Sequence, residues 1–298
     1  MDTGRAQTTV VGYDGSEAAG AALSCAARRT GPGGRLVVAH AADVPAEYLE
    51  SPYYEELLEQ SRSRAAEVLE GAAGLVNGEV DVETAVLSGP PARSLVELAQ
   101  ELGATEIGVG SRGLGKLRAA AVGSTSHALL QESDRPVLLI PRRALERETL
   151  RPATSEPRTI VVGYDGSDGA RAALDYAVEQ LSGHPAGRVV ATYVYAAPAD
   201  WLGFPNYQEA LDEHQLRGRR LLRELEEEGV AAGELETELV EGPPADALVR
   251  VAHAHDADEI VVGSRGLGRF RAALGSVSHE LLHEADLPLV VVPGRDRE

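Results

Sequence analysis

Apolar residues follow two different periods along this chain. Residues 8–13 form a continuous apolar and β-branched run, which is typical of a strand buried on both faces. Ser16 then precedes a segment with helical spacing that extends to about residue 29 and ends in a glycine-rich stretch. Further strands are predicted at residues 36–41, 80–87, 105–109 and 137–140. Three helices lie between them: one ends at about residue 76, one spans residues 92–102, and one begins at Ser124.

The same order of elements returns from Thr159 onwards and ends with a strand at residues 289–292. Strands that alternate so regularly with helices favour right-handed crossovers and a mainly parallel sheet covered on both faces. The pattern therefore predicts two doubly wound α/β domains of the Rossmann-like class, each with a mainly parallel five-stranded sheet.

A sequence repeat supports the division into two domains. At 298 residues the chain is long enough for two domains of about 150 residues each. Residues 10–16, Val-Val-Gly-Tyr-Asp-Gly-Ser, recur unchanged as residues 161–167. We predict a first domain at residues 1–142, an exposed linker at 143–157, which is charged and contains Pro152 and Pro157, and a second domain at 158–298.

Composition excludes several classes of protein. A formal net charge of −19 argues against a general nucleic-acid binder, which would present a basic face to phosphates. The single cysteine, Cys25, excludes an internal disulfide and a cysteine-based metal cluster. No apolar run approaches membrane-spanning length, and residues 1–7 are polar. We therefore expect a soluble cytoplasmic protein without nucleic-acid or membrane partners.

Two glycine-rich loops are the candidate ligand sites. Residues 109–115, Val-Gly-Ser-Arg-Gly-Leu-Gly, follow a strand and precede Gly-Ser-Thr-Ser-His at 123–127; residues 262–268 and 275–279 repeat this arrangement. Glycine permits positive φ, so successive N–H groups can form an anion-binding nest. Ser124 and Ser276 are predicted N-caps of helices whose positive ends also favour phosphate. A simple chain reversal is the alternative, but two near-identical copies favour a shared ligand.

Two other phosphate motifs match the first loop in part. Residues 108–113 have the G-x-G-x-x-G spacing of dinucleotide-binding proteins, yet Val261 replaces the first glycine in the second copy. Residues 110–116 resemble the start of a G-x-x-x-x-G-K phosphate loop, but Leu117 replaces the hydroxyl residue that would bind Mg²⁺.

An aspartate ends the first strand of each half. Ligands of doubly wound sheets bind beyond the carboxyl ends of the strands, where the strand order reverses. If the first and fourth strands are neighbours, Asp14 and the first loop face one crevice, as do Asp165 and the second loop. Each aspartate would then accept hydrogen bonds from an adenine amino group or a ribose hydroxyl. The alternative is that Asp14 only stabilises the turn before Ser16.

With these residues together, the chain resembles a tandem universal stress protein of the UspA type, and the resemblance covers both halves. ATP-binding members of that family have G-x-x-G, nine residues, then Gly followed by Ser or Thr, and Gly110 to Ser124 keeps this spacing. The resemblance implies an adenine nucleotide alpha hydrolase-like fold, with ATP, with or without Mg²⁺, as ligand. The implied nucleotide positions are Gly12, Asp14, Ala41, Gly110, Arg112, Gly113, Gly123, Ser124 and Thr125 in the first half, and Gly163, Asp165, Val194, Gly263, Arg265, Gly266, Gly275, Ser276 and Val277 in the second.

The second half departs from the family pattern at one point. Only eight residues separate Gly266 from Gly275, so its loop is one residue shorter. We therefore expect two inequivalent sites, with tighter binding in the first half. The family also implies an internal pseudo-dimer in which the last strands of the two halves, residues 137–140 and 289–292, pair antiparallel; a further homodimer stays open.

Three other constellations have a more ordinary explanation. Ser124, Ser126 and His127 lack a G-x-S-x-G elbow, so capping and phosphate contact are preferred to hydrolase chemistry. His253, His255 and Asp256 could bind a metal ion, but the first copy lacks these residues, and histidine near a helix end is commonly a surface partner of the dipole. Trp201, Phe204 and Tyr207 are interpreted as satellite core rather than a cover for the nucleotide.

The sequence thus predicts a nucleotide-binding stress-response regulator or adaptor with no catalytic residues and no protein metal site. The motifs include no evident general base and no Walker-type Mg²⁺ ligand. One rival is a slow ATPase or phosphotransferase in which Asp14 or Asp165 holds Mg²⁺. The other is a dinucleotide oxidoreductase, which is disfavoured because no acidic residue ends the second strand at Ala41.

Overall fold

A computed structural model describes residues 7–31, 33–44, 48, 50–76, 80–111, 123–146, 158–182, 186–196, 207–264 and 275–294. The chain divides into two compact units, Met1–Leu150 and Arg151–Glu298. The elements of the first unit are β1 (Thr8–Gly12), α1 (Glu17–Thr30), β2 (Arg35–Ala42), α2 (Tyr54–Ala73), β3 (Asp81–Ser88), α3 (Pro91–Glu101), β4 (Glu106–Gly110), α4 (Ser124–Glu132), β5 (Val137–Ile140) and α5 (Arg142–Glu146).

The second unit repeats this order. Its elements are β6 (Thr159–Gly163), α6 (Asp168–Gln180), β7 (Arg188–Tyr195), α7 (Tyr207–Glu228), β8 (Glu234–Glu241), α8 (Pro244–Ala254), β9 (Glu259–Gly263), α9 (Ser276–Glu284) and β10 (Leu289–Val292). The short helix α5 has no counterpart among the described residues of this unit, and it lies at the start of the segment predicted as linker. Its Ala144 is buried.

Each unit has a parallel sheet whose strand order reverses beside its first strand. The order is β3-β2-β1-β4-β5 in the first unit and β8-β7-β6-β9-β10 in the second. All strand pairs described within the two units are parallel. The predicted α/β class with mainly parallel strands and tandem halves is therefore confirmed.

Local sequence explains where the first helix of each unit begins. The hydroxyl of Ser16 accepts a hydrogen bond from Ala19 N at 3.2 Å, and that of Ser167 accepts one from Ala170 N at 3.1 Å. These caps satisfy one of the N–H groups that a helix start leaves without an internal partner. The predicted cap at Ser16 is confirmed.

Strands β1 and β4 of the first unit, and β6 and β9 of the second, are buried except at their ends. All four residues of β5 and all four of β10 are buried. Among the helices that the structure describes, none combines the length and apolar character that a membrane span requires.

Candidate functional site

The two predicted site segments of each half lie at the same point of the sheet. β1 pairs with β4, with Gly12 opposite Val109, and β6 pairs with β9, with Val162 opposite Val261. Asp14 therefore follows a strand that is the direct neighbour of the strand entering the first glycine loop. The strand order reverses at this pair, which is where such sheets open a crevice for ligands.

Each aspartate closes the turn that leads into the first helix. Asp14 Oδ1 accepts a hydrogen bond from Ser16 N at 3.0 Å, and Asp165 Oδ1 accepts one from Ser167 N at 2.9 Å. In the first turn, Gly15 lies between Asp14 and Ser16 and has φ of 81°, a conformation that favours glycine. The turn role that was the alternative is thus present, and it engages one carboxylate oxygen of each residue. A carboxylate oxygen can accept more than one hydrogen bond, so this turn does not exclude ligand contact.

The ends of the first glycine loop are held together at the carboxyl end of β4. Ser111 N donates to Ile140 O at 3.0 Å, and Gly123 N donates to Ser111 O at 2.7 Å. The buried hydroxyl of Ser126 donates to Gly110 O at 3.0 Å. These bonds fix the start of α4 against the end of β4. Arg112 and Gly113, both predicted site residues, lie outside the described residues.

The second loop is closed at its base by equivalent backbone hydrogen bonds. Ser264 N donates to Val292 O at 2.7 Å, and Gly275 N donates to Ser264 O at 2.7 Å. Ser278 Oγ donates to Ser264 O at 3.4 Å. Arg265 and Gly266 again lie outside the described residues. The two loops therefore begin and end alike, although their lengths differ.

The helices that follow these loops start without a side-chain cap. The N-cap residues are Gly123 and Gly275, and no side chain caps either helix. Ser124 and Ser276 are the first helical residues, so their prediction as N-caps was wrong by one position. Glycine supplies no acceptor, and the first N–H groups of α4 and α9 are therefore left for another acceptor. Thr125 and Val277 lie in these first turns.

Two of the described loop glycines, Gly110 and Gly263, serve close packing rather than unusual backbone conformations. A Cβ on Gly110 would lie 2.7 Å from the carbonyl carbon of Ala18 in α1, and one on Gly263 would lie 2.6 Å from that of Gly169 in α6. Gly110, Gly123, Gly263 and Gly275 are not among the residues with positive φ. Backbone freedom is thus not the reason for glycine at these four positions, and close packing replaces it at Gly110 and Gly263.

Packing also accounts for the glycines that end β1 and β6. A Cβ on Gly12 would lie 2.8 Å from Leu95 Cδ1 in α3, and one on Gly163 would lie 3.1 Å from Val262 Cγ1. Their direct contact with a nucleotide stays a prediction.

His40 is a polar residue of the first crevice that the sequence interpretation missed. Its Nδ1 lies 2.7 Å from Tyr13 O, next to Asp14. Because a carbonyl oxygen only accepts, Nδ1 is the donor, and Nε2 of the neutral ring is then an acceptor. The available signal was a histidine within the apolar run of β2. It lies immediately before Ala41, one of the predicted adenosine positions.

The second crevice has a tyrosine at the corresponding position. Tyr193, like His40, is the sixth residue of its strand, and it is buried. Burial raises the pKa of Tyr193, the Arg217 guanidinium lowers it, and the Asp165 carboxylate raises it. Val194, the predicted adenosine position, follows it. The two crevices each have an aspartate, but the residue beside it is a histidine in the first and a tyrosine in the second.

A cavity lies next to the first crevice, at the ends of two strands whose counterparts in the second half carry hydrogen-bonded side chains. It has a volume of about 280 Å³, and its lining includes Ala42 and Ser88, the last residues of β2 and β3. The last residues of β7 and β8 are Tyr195 and Glu241, and the Tyr195 hydroxyl donates to Glu241 Oε2 at 3.4 Å. Gln215 Nε2 donates to the same hydroxyl at 3.1 Å.

One buried hydroxyl at the first loop has no hydrogen-bond partner among the described residues. Ser111 is 1% exposed, and its Oγ has no hydrogen-bond partner in the part of the chain that the structure describes. In the second half, Ser264 Oγ accepts a hydrogen bond from Gly294 N at 3.3 Å. An unsatisfied buried hydroxyl is costly, so Ser111 is suited to a polar ligand at the loop.

The side chains considered for hydrolase chemistry and for metal binding have hydrogen-bond or ion-pair partners within the fold. The bond from Ser126 to Gly110 O explains that serine without nucleophilic chemistry. His253 lies 2.9 Å from Asp286, and His255 Nε2 lies 2.5 Å from Glu238 Oε1. Within the described ranges, no group of three or more His, Cys, Asp or Glu side chains could hold a metal ion. Tyr207 begins α7, whereas Trp201 and Phe204 lie outside the described residues.

Comparisons with known proteins agree with this architecture. A family model described as the universal stress protein family matches residues 6–141 and 156–293. A universal stress protein of Mycolicibacterium smegmatis is 28% identical over 298 residues, which cover 96% of this chain and 97% of that protein. One of Thermus aquaticus is 35% identical over 139 residues, 45% of this chain and 98% of that protein. The crystal structure of a universal stress protein from Archaeoglobus fulgidus has a TM-score of 0.69 at 20% identity and covers 99% of this chain and 98% of its own, which shows a shared fold.

Proposed function

Because the chain belongs to the universal stress protein family, we propose that it binds ATP in two crevices, one in each half. Its role is that of a nucleotide-dependent regulator or adaptor in a stress response, without dedicated catalysis. The observation that carries this proposal is the uncapped start of α4 and α9. In each half a helix without a side-chain cap follows a glycine loop at the reversal point of the sheet.

A helix start of this kind suits phosphate. Its first N–H groups lack internal partners, and the helix dipole adds positive potential at the same place. The glycine N-caps leave this place without a competing side-chain oxygen. The Ser111 hydroxyl, which has no partner in the part of the chain that the structure describes, adds a further hydrogen-bonding group at the base of the first loop. The proposed phosphate positions are therefore the two loops and the first turns that follow them: Gly110, Arg112, Gly113, Gly123, Ser124 and Thr125, and Gly263, Arg265, Gly266, Gly275, Ser276 and Val277.

The adenosine end of the ligand is assigned to the carboxyl ends of β1 and β2 in the first half and of β6 and β7 in the second. Asp14 and the backbone at Ala41 would recognise it in the first half, and Asp165 and Val194 in the second. Gly12 and Gly163 complete the proposed set at the strand ends. The turn bonds of the two aspartates hold their side chains at the crevice before any ligand binds.

A pair of substitutions separates phosphate binding by the helix start from general damage to the fold. Ser124→Asp places a negative charge in the first turn, where it favours the helix but repels phosphate. Ser124→Ala removes the hydroxyl and keeps every main-chain N–H group. In a chain whose second site is disabled by Asp165→Ala, calorimetric titration of ATP should show binding by the Ala variant and loss of binding by the Asp variant. Equal ATP affinity of the two variants would count against the proposed phosphate position.

A second experiment separates the turn role of Asp14 from ligand contact. Asp14→Asn keeps an oxygen that can accept from Ser16 N, so the turn is retained. It removes the negative charge offered to ligand hydroxyls. We expect the thermal unfolding midpoint of Asp14→Asn to stay near that of the unchanged chain, while ATP binding in the first half weakens. An unchanged ATP affinity would leave Asp14 with the turn role alone.

Slow hydrolysis or phosphotransfer at the same sites is the alternative function, with Asp14 or Asp165 holding Mg²⁺. It is favoured if ATP turnover with Mg²⁺ is lost in the Asp→Asn variants. Turnover near the usual enzyme rate of about 10 per second would contradict a purely regulatory role. Mass spectrometry of ligand released from the denatured protein identifies the nucleotide directly, and NAD or flavin in place of ATP would exclude the proposal.

The arrangement of the whole chain is also a proposal. We place the domain boundaries at residues 1–142 and 158–298, with a linker between them, and the protein in the cytoplasm. The last strands of the two halves, β5 and β10, are proposed to pair antiparallel, because each is a short apolar run that would leave an exposed sheet edge. Separation of the halves, described in the Discussion, tests this.

A further inference from the structure

Helix α9 has two histidines one turn apart on its exposed side. His279 and His283 are exposed, whereas Ser278, Leu281 and Leu282 form the buried side of the helix. The two imidazole rings have centroids 5.1 Å apart and an interplanar angle of 66°. The proposed nucleotide site uses neither side chain.

This spacing is suited to chelation of a metal ion. An ion held about 2.0–2.1 Å from one nitrogen of each of two imidazoles, at a roughly tetrahedral angle, leaves the ring centroids about 5 Å apart. The two rings already have this separation. Histidines at positions i and i+4 are also the pair that binds zinc in H-E-x-x-H helices, and residues 279–283 are His-Glu-Leu-Leu-His. We propose that His279 and His283 form a binding site for a divalent transition-metal ion.

The ligand type and the surrounding charge define the class of ion. Imidazole nitrogens favour Zn²⁺, Cu²⁺ and Ni²⁺, whereas Mg²⁺ and Ca²⁺ prefer oxygen ligands. Glu280 and Glu284 are exposed on the same helix, and the chain has a formal net charge of −19. This negative field raises the local concentration of cations. Zn²⁺ is therefore the probe of choice, with Mg²⁺ as the ion that the site should not select.

The site binds an ion and does not form a hydrolytic centre. Catalytic zinc sites use three protein ligands and one open position. Over the stretches of chain with described positions, no third His, Cys, Asp or Glu completes such a set. With two protein ligands, water fills the other coordination positions, and the ion exchanges readily.

The first half provides a matched control. In α4, His127 and Gln131 occupy the positions of His279 and His283, since both helices have nine residues. Gln131 Nε2 donates to His127 Nε2 at 3.1 Å. An amide nitrogen in place of the second imidazole does not ligate a metal ion. The two helices therefore differ in chelation at a single position.

The test is a calorimetric titration of ZnCl₂ into the full-length chain, free of nucleotide, with excess MgCl₂ present to occupy weak carboxylate sites. His283→Gln gives the second helix the His–Gln pair of the first, and Gln131→His gives the first helix the His–His pair of the second. We expect His283→Gln to weaken zinc binding by about tenfold or more, because the second ligand of a chelate acts at high effective concentration. Gln131→His should add one zinc ion per chain.

Thermal unfolding gives a second reading, because an ion that binds only the folded chain raises its unfolding temperature. Zinc should raise the unfolding temperature of the unchanged chain more than that of His283→Gln. Both substitutions are on exposed positions, and circular dichroism verifies that the helices persist. Equal zinc affinity of the unchanged chain and His283→Gln overturns the proposal, as does a Gln131→His chain that binds no additional ion. Because nucleotide is absent throughout, neither result depends on whether ATP is the ligand of the crevices.

Discussion

Gly108 and Gly110 lie two positions apart on β4, yet they differ in how much space surrounds them. A Cβ on Gly110 would lie 2.7 Å from Ala18 backbone and side-chain atoms, whereas the nearest atom to a Cβ on Gly108 is Val11 Cγ2 at 3.4 Å. Backbone atoms of a packed helix cannot move away cheaply. We expect Gly110→Ala to lower the free energy of unfolding by about 1–3 kcal/mol.

Gly108→Ala is the control for this change, because it adds the same methyl group to the same strand where only ordinary contacts result. Its free energy of unfolding should stay within about 1 kcal/mol of the unchanged chain, since alanine also restricts the unfolded state. Urea unfolding followed by circular dichroism gives both values. Equal effects of the two substitutions would contradict the close approach of α1 to β4.

Arg29 and Glu106 form a buried ion pair with two hydrogen bonds, 3.1 Å from Nε to Oε1 and 2.8 Å from the terminal nitrogen to Oε2. Their side chains are 3% and 0% exposed. Glu106→Gln removes the carboxylate charge that this buried guanidinium faces, so we expect it to lower the free energy of unfolding, measured in urea, by about 3–5 kcal/mol.

Arg35 and Glu83 form a pair with the same geometry on the surface. Solvent screens this pair, and Glu83→Gln should therefore change the unfolding midpoint little. A large loss of stability in Glu83→Gln, or a small one in Glu106→Gln, would show that burial does not decide how much each ion pair contributes to stability.

The two glycine loops differ as elements, although their bases are closed by equivalent backbone hydrogen bonds. Gly123 N to Ser111 O and Gly275 N to Ser264 O are both 2.7 Å long. The difference of one residue therefore falls on segments outside the described residues. Amides that hold phosphate must be placed within a fraction of an ångström, so we predict that the first half binds ATP more tightly.

Titration of ATP into nucleotide-free Asp14→Ala and Asp165→Ala chains measures the second and the first site separately. The Asp14→Ala chain should bind ATP more weakly and should favour AMP or ADP over ATP. Both variants lose the same turn bond, and each therefore controls for the other. Matching affinities would mean that the shorter loop does not affect the phosphate position.

For the molecule as a whole, we predict that the two halves stabilise each other. Residues 1–142 and 158–298, expressed separately, should each retain α/β circular dichroism but unfold at a lower temperature than in the intact chain. Each would otherwise expose the edge of a strand that consists of apolar residues. Mixing the halves should raise the unfolding temperature, and analytical ultracentrifugation should detect their complex. Halves that unfold at the temperature of the intact chain would exclude the proposed pairing.

The sequence by itself determined the order of strands and helices, the tandem repeat and the family. These features depend on local periods and on short motifs, which are present in the chain before it folds. It also placed Asp14 at the end of the first strand and the first glycine loop at the end of the fourth, where the crevice rule for doubly wound sheets expects a ligand. That these two strands are neighbours was decided by the sheet.

Only the tertiary structure decided the reasons for particular residues. It showed that Gly110 permits close contact with Ala18 and that His40 is hydrogen-bonded to the carbonyl oxygen of Tyr13. It also showed that the N-cap position of α4 is Gly123 and not Ser124. Each depends on the distance between elements or on the residue at which a helix begins, and a local period fixes neither. The pair His279 and His283 is a different case. Their spacing of four residues is visible in the sequence, but the distance between the two rings is a property of the folded helix.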